Sequence, residues 1–182
     1  PRRELTIHAG NSFTLTAWVT SAVLVQGAPK LVYVDDDATD GGDGSSWARA
    51  YRTLQDALAD ANAAEKPVEV HVAQGRYQPD QGGGQVLGNR EAAFTLLNEV
   101  TLAGGYAGLQ GNDSNALDPQ RYGTILTGDL MDNDLPGLRN RRDNSYHVVV
   151  ALGTDESAIL EGCVIASGHA DGLPGDASPR RE

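Results

Sequence analysis

Residues 31–79, LVYVDDDATDGGDGSSWARAYRTLQDALADANAAEKPVEVHVAQGRYQP, constrain the fold more than any other stretch of the chain. They read as a short apolar strand, an acidic glycine-rich loop, one amphipathic helix, a second strand and a Gly-x-Tyr turn. The spacing predicts the helix over 53–64. Thr53 is a good N-cap, and Asp56 three residues later suits the positive end of the helix dipole. Leu54, Ala57, Leu58 and Ala61 fall at i, i+3, i+4 and i+7, a narrow stripe of small apolar residues. Pro67 lies beyond the end, where a helix cannot continue. Such a stripe suits a helix lying on a surface rather than inside a bundle. One helix followed by short strands points to a β-structure with one end covered.

The strands predicted around that helix are 31–34, 68–72, 93–97, 100–103, 124–127, 146–152 and 158–166. They are rich in Val, Ile, Leu and Thr and are separated by polar loops of unequal length. No further helical pattern lies between them, which disfavours a doubly wound α/β fold. Hairpin signals such as Asn-Gly between paired strands are missing, which disfavours a sandwich or an antiparallel barrel. A solenoid tolerates unequal loops because each turn contacts only its neighbours. Apolar segments around Val70, Val100, Ile125, Val148 and Ile165 recur at solenoid-like intervals. The expected fold is an all-β solenoid, a right-handed parallel β-helix, with the helix capping its first turn because an open sheet end would pair with other chains.

At 182 residues the chain can bury one sizeable core, and its 22 glycines and 5% aromatics suit frequent tight turns. The formal net charge of −11 repels phosphate backbones and argues against nucleic-acid binding. The single cysteine, Cys163, sits in an apolar run and is expected to pack as a small core residue. Residues 1–30 admit two readings. Arg2 and Arg3, the apolar stretch 13–25 and the small residues after it are ordered as in a secretory signal peptide. Thr14, Thr16 and Thr20 alternate with Leu15, Ala17 and Val19, as in an extra strand. No segment reaches the length of a membrane span. Residues 31–170 form the expected solenoid, and 171–182 read as a flexible tail.

Tyr33-Val34-Asp35, Asp43-Gly44-Ser45-Ser46-Trp47-Ala48, Tyr51, Thr53-Leu54-Gln55, Ala57-Leu58 and Ala61 occur in an order that continues through Val72-Ala73-Gln74-Gly75-Arg76-Tyr77 and Pro79. Further along come Leu102-x-Gly104-Gly105-Tyr106-x-Gly108, Thr124-Ile125-Leu126-x-Gly128-Asp129, Asn144-Ser145-Tyr146-His147-Val148-Val149 and Leu160-Glu161-Gly162-x-Val164-Ile165. Taken together, residues 31–170 resemble the N-terminal capping region and first turns of secreted bacterial right-handed parallel β-helix repeat proteins, the pectin-lyase-like group. The resemblance implies a secreted or cell-surface protein and a chain that is the beginning of something longer. It implies a non-catalytic, adhesin-like or glycan-binding module, with polysaccharide or cell-surface glycan as partner. The alternatives are a polysaccharide lyase or glycoside hydrolase, and a structural surface stalk. The uncapped C-terminal end could drive self-association.

Two acidic clusters are candidate Ca²⁺ sites, because that ion takes six to eight oxygens. One lies in the loop after the first strand, with Asp37, Asp40 and Asp43 as ligands beside Asp35 and Asp36. The other is Asp129, Asp132 and Asp134 around Asn133. Neither has EF-hand spacing, and both also read as solvated loops with aspartates as turn formers. Lyases on the resembling fold pair such calcium with a basic residue, and Arg121, Arg139, Arg141 and Arg142 are available; surface ion pairs account for them equally well. Gly168-His169-Ala170 reads as a turn. His71 and His147 fall in predicted strands and read as structural. Trp47 and Tyr51 are expected to pack the helix onto the first coil, with stacking on sugar rings as the alternative. No catalytic residue is assigned.

Overall fold

The computed structural model describes residues 3–9, 13–19 and 27–171. The expected tail, apart from Asp171, and residues 1–2, 10–12 and 20–26 of the N-terminal segment lie outside the described residues. Strands β1 (Arg3–Ala9) and β2 (Phe13–Val19) pair antiparallel from Arg3 against Val19 to Ala9 against Phe13.

Among the described residues every other pairing between two strands is parallel. β3 (Lys30–Val34) leads through the acidic loop into α1 (Leu54–Ala63) and then β4 (Val68–Ala73). β5 (Gly75–Tyr77), β6 (Phe94–Thr95), β7 (Val100–Tyr106), β8 (Thr124–Thr127), β9 (Val149–Val150), β10 (Ile159–Glu161) and β11 (Cys163–Ala166) follow. They assort into a four-stranded sheet in the order β3-β4-β7-β10, a three-stranded sheet β5-β8-β11, and a pair β6-β9. The chain visits these sheets in strict rotation: β4, β5, β6, then β7, β8, β9, then β10, β11. Among the described residues the molecule is thus mostly parallel β-sheet with one α-helix.

The helix is where the sequence places it. The Thr53 hydroxyl caps the Asp56 N–H and donates to the Asp56 carboxylate at 2.6 Å. Leu54, Ala57, Leu58 and Ala61 are buried against β3, β4 and β6. Parallel neighbours need a crossover, and α1 supplies it between β3 and β4. Inward residues alternate with outward ones. Val32, Val34, Val70, Val72 and Leu102 fill the core with Phe94 and Leu126, all 1% exposed or less. The outward residues of the same strands meet aromatic partners. His71 stacks on Tyr106 at 4.3 Å between ring centroids, and Tyr33 is edge-on to Trp47 at 4.9 Å.

Several local expectations change. Gly75–Tyr77 is a strand rather than a turn, held in register with Thr124–Leu126. Strand β7 runs past the predicted end at 103 and on through Gly104 and Gly105 to Tyr106. The predicted strand 146–152 contracts to Val149–Val150, which leaves His147 exposed and outside any strand. The run 158–166 divides into β10 and β11 at Gly162, whose φ is 66°. Trp47 packs on the outer face of the four-stranded sheet, with Ala73, Ala103 and Tyr106, rather than beneath the helix. Its indole N–H donates to Asn115 at 2.9 Å. Tyr51 does lie against the core cluster that includes α1. The recurring apolar segments belong to different faces: Val70 and Val100 to one sheet, Ile125 and Ile165 to another.

Candidate functional site

Strand β3 ends at Val34, and the next three residues are Asp35, Asp36 and Asp37. Among the described residues this is the one set of three acidic, His or Cys side chains whose ligand atoms lie within 4.8 Å of one another. Each carboxylate is already engaged. Asp35 is 1% exposed; its Oδ1 accepts from the Asp37 N–H at 3.0 Å and its Oδ2 from the Leu109 N–H at 2.7 Å. Asp36 Oδ2 accepts from the Arg76 N–H at 2.9 Å. Exposed Asp37 accepts from the Gln110 side chain at 2.9 Å. Two glycines make these approaches feasible. A Cβ on Gly75 would lie 2.2 Å from Asp36 Oδ1, and one on Gly108 would lie 2.3 Å from Asp35 Oδ2. Burial holds the Asp35 and Asp36 carboxyls above the ordinary value of 3.8, partly offset by the backbone donors and reinforced by the charge of Asp37.

Asp36 also borders a polar cleft of about 200 Å³ at the N-terminus of α1. Arg52, Arg76, Gln78 and Gln81 line it together with Tyr77. Arg52 pairs with exposed Asp40 at 3.2 Å, and Arg76 with exposed Asp132 at 2.7 Å. The cleft offers the guanidinium donors of Arg52 and Arg76 beside the positive end of the helix dipole, chemistry that suits an acidic or hydroxyl-rich ligand.

The residues expected to bind metal disperse. Of the first cluster only Asp37 joins the trio. Asp40 turns to Arg52, and Asp43 forms a two-pronged pair with Arg49, at 2.6 Å for its shortest contact, which pulls its carboxyl far below 3.8. In the second cluster, Asp132 points outward to Arg76. Asp129 reaches Asp134 through the backbone N–H of Asp134 and not through its carboxylate. Asp129 is 3% exposed and accepts from the Asn133 N–H with Oδ1 and from the Asp134 N–H with Oδ2, both at 3.0 Å. Gln78 anchors this loop to the three-stranded sheet by donating to the Asp129 carbonyl at 2.6 Å.

Sequence reasoning missed the rest of the second network. Asn144 and Ser145 are both fully buried there. The Asn144 amide N–H₂ donates to Asp134 Oδ2 at 3.1 Å and to the Ser167 carbonyl at 2.8 Å. Arg90 holds the Asn144 carbonyl at 2.6 Å and pairs with Asp171 at 2.5 Å. His169 Nδ1 meets the Arg141 carbonyl at 2.7 Å, so this turn histidine ties two loops together. The available signal was a polar Asn-Ser pair directly ahead of an apolar run, a position where buried polar groups hold a turn. His71 has a structural setting as well, with Nε2 against Glu69 at 2.7 Å and its ring between Tyr33 and Tyr106.

Comparison with family models, with curated proteins and with solved structures finds no match to this chain. Among the described residues no helix is long and apolar enough to cross a membrane.

Proposed function

We propose that residues 31–170 are the capped opening of a right-handed parallel β-helix, serving as a non-catalytic, glycan-binding module at the cell surface or outside the cell. The supporting observation is the rotation of the chain through three parallel sheets in the same order, with α1 over the first strands. A coil of that kind offers a rigid scaffold whose loops carry recognition. The acids that a lyase or hydrolase would need are committed elsewhere. Asp129 is buried under backbone donors of its own loop, Asp132 faces Arg76, and Arg141 lies by Asp134. Glycan contact is assigned to the cleft at the start of α1, with exposed Arg52 and Arg76 as its charged donors. Pairing with exposed Asp40 costs Arg52 little, so a ligand can displace it.

A glycan array of acidic and neutral polysaccharides, probed with the full chain, tests this reading. The expected result is retention on an acidic glycan, weakened about tenfold by Arg52→Ala, with no release of shortened product. Polysaccharide cleavage would contradict the non-catalytic assignment. Absence of retention on every glycan would leave the module a stalk.

A further inference from the structure

The loop from Asp129 to Ser145 contains an accumulation of buried oxygens without donors. Asn133 Oδ1, Asp134 Oδ1, Asn144 Oδ1 and Ser145 Oγ are all sealed from solvent and accept from no protein group. Buried polar atoms of native proteins are almost always satisfied, so four in one loop call for an occupant. The orientation of each side chain is fixed by its other end. Asn133 donates through its amide nitrogen to Asp143 Oδ2 at 3.2 Å. Asp134 receives the Asn144 amide on Oδ2. Asn144 uses its nitrogen twice, on Asp134 and on the Ser167 carbonyl, so its oxygen cannot trade places with the nitrogen without losing both bonds. What remain bare are these four hard oxygens, with the Arg141 Nε as the one partnerless nitrogen of the same loop.

The charge of the network points the same way. It joins four carboxylates, Asp129, Asp134, Asp143 and Asp171, against two guanidiniums, Arg90 and Arg141, and the Arg141 Nε stands 3.6 Å from Asp134 Oδ2. That separation gives an ion pair without a hydrogen bond, so Arg141 leaves the Asp134 Oδ1 side unsatisfied. The Asp35–Asp37 trio differs in that none of its carboxylate oxygens is both buried and without a partner.

We propose that this loop binds one hard divalent cation, Ca²⁺ by its oxygen-only donors, at Asn133, Asp134 and Asn144, with Ser145 beside them and water completing the shell. The inference stands independently of the module's glycan-binding role. The ion would fasten the 129–145 loop to the coil, through Gln78 on one side and Ser167 on the other.

The test is titration of the full chain with CaCl₂ after chelation, read by calorimetry and by thermal denaturation. One bound Ca²⁺ and a raised Tm are expected. Asp134→Asn, which keeps the shape and removes the charge, should weaken Ca²⁺ at least tenfold and abolish the Tm rise. Asn133→Ala serves the same purpose if Asp134→Asn does not fold. Asp37→Asn and Asp132→Asn should respond as the parent does. The proposal is overturned by no heat and no Tm change at millimolar Ca²⁺, the outcome if buried water fills the site. An undiminished response in both Asp134→Asn and Asn133→Ala, or a response lost in Asp37→Asn instead, overturns it equally.

Discussion

Asp35 Oδ2 accepts the backbone N–H of Leu109 at 2.7 Å, which ties the end of β3 to the 3₁₀ turn Gly108–Gln110 beyond β7. A carboxylate buried to 1% exposure and holding two backbone donors is costly to remove, because both N–H groups lose their acceptor. Asp35→Ala should destabilise the fold by about 2 kcal/mol, measured by urea denaturation.

The same burial sets a pH dependence. Asp36, like Asp35, has its carboxyl held above 3.8, mainly by burial. A carboxyl raised in the folded state binds its proton more tightly there than in the unfolded chain. Stability from this group is therefore lost as pH rises from its unfolded value through its folded one. Asp36→Asn, which keeps an acceptor for the Arg76 N–H, should remove that part of the slope in the range directly above the ordinary carboxyl value of 3.8. Denaturation midpoints of parent and variant across that range check it. A steeper downward slope in the variant would show the sign to be wrong.

Glycines separate into those that the packing requires and those that only the backbone requires. Gly162 divides β10 from β11 at φ 66°, and a Cβ there would lie 2.2 Å from the Gly104 carbonyl oxygen. Gly88 has a similar φ of 77° but open space around it. Gly162→Ala should cost roughly 3 kcal/mol or more, since backbone on backbone cannot give way. Gly88→Ala should cost about 1 to 2 kcal/mol of conformational strain alone. Equal losses in thermal denaturation would remove the distinction.

Leu102 is 1% exposed at the centre of the four-stranded sheet, between Val70 and Leu160 in register. Leu102→Ala should destabilise by about 2 to 5 kcal/mol, whereas Val86→Ala, on an exposed loop residue, should change little.

Cys163 packs against the core, with burial pushing its thiol up to about 11. Thiolate is the reactive form, so a thiol reagent at about pH 8 should modify the folded chain far more slowly than the unfolded chain. Comparable rates in the two states would contradict the burial.

The helix was legible in the sequence because its signals are local. The Thr53 cap, the stripe of Leu54, Ala57, Leu58 and Ala61, and the Pro67 stop lie within one short segment. Strands β3, β4 and β8 announced themselves through β-branched residues. Strand β5 did not, because a three-residue strand beginning with glycine carries no period; its pairing with β8 decides it. Spacing along the chain failed as a guide to the coil step, since Val70 pairs with Leu102 while Ile125 pairs with Val164 on another sheet.

Of the acidic clusters, sequence proximity joined Asp129 with Asp134 through a shared loop. It could not foresee that Arg49 and Arg52 would claim Asp43 and Asp40. Nor could it foresee that Asn144 would return to Asp134 from the far end of the loop. Those contacts depend on how the loop closes, which the residues around each aspartate do not encode.

The account rests on strands from successive passes lying in parallel register. Thr101 in β7 is paired with Ile159 in β10. Neighbouring positions in a sheet fall within disulfide reach. The direct measurement is oxidation of Thr101→Cys/Ile159→Cys in a Cys163→Ser background, with the bridge read by mass spectrometry. The register predicts fast, near-complete closure in the folded chain and slower, incomplete closure for the offset pair Thr101→Cys/Glu161→Cys. Preferential closure of the offset pair, or of neither, would contradict the stacking on which the β-helix reading depends.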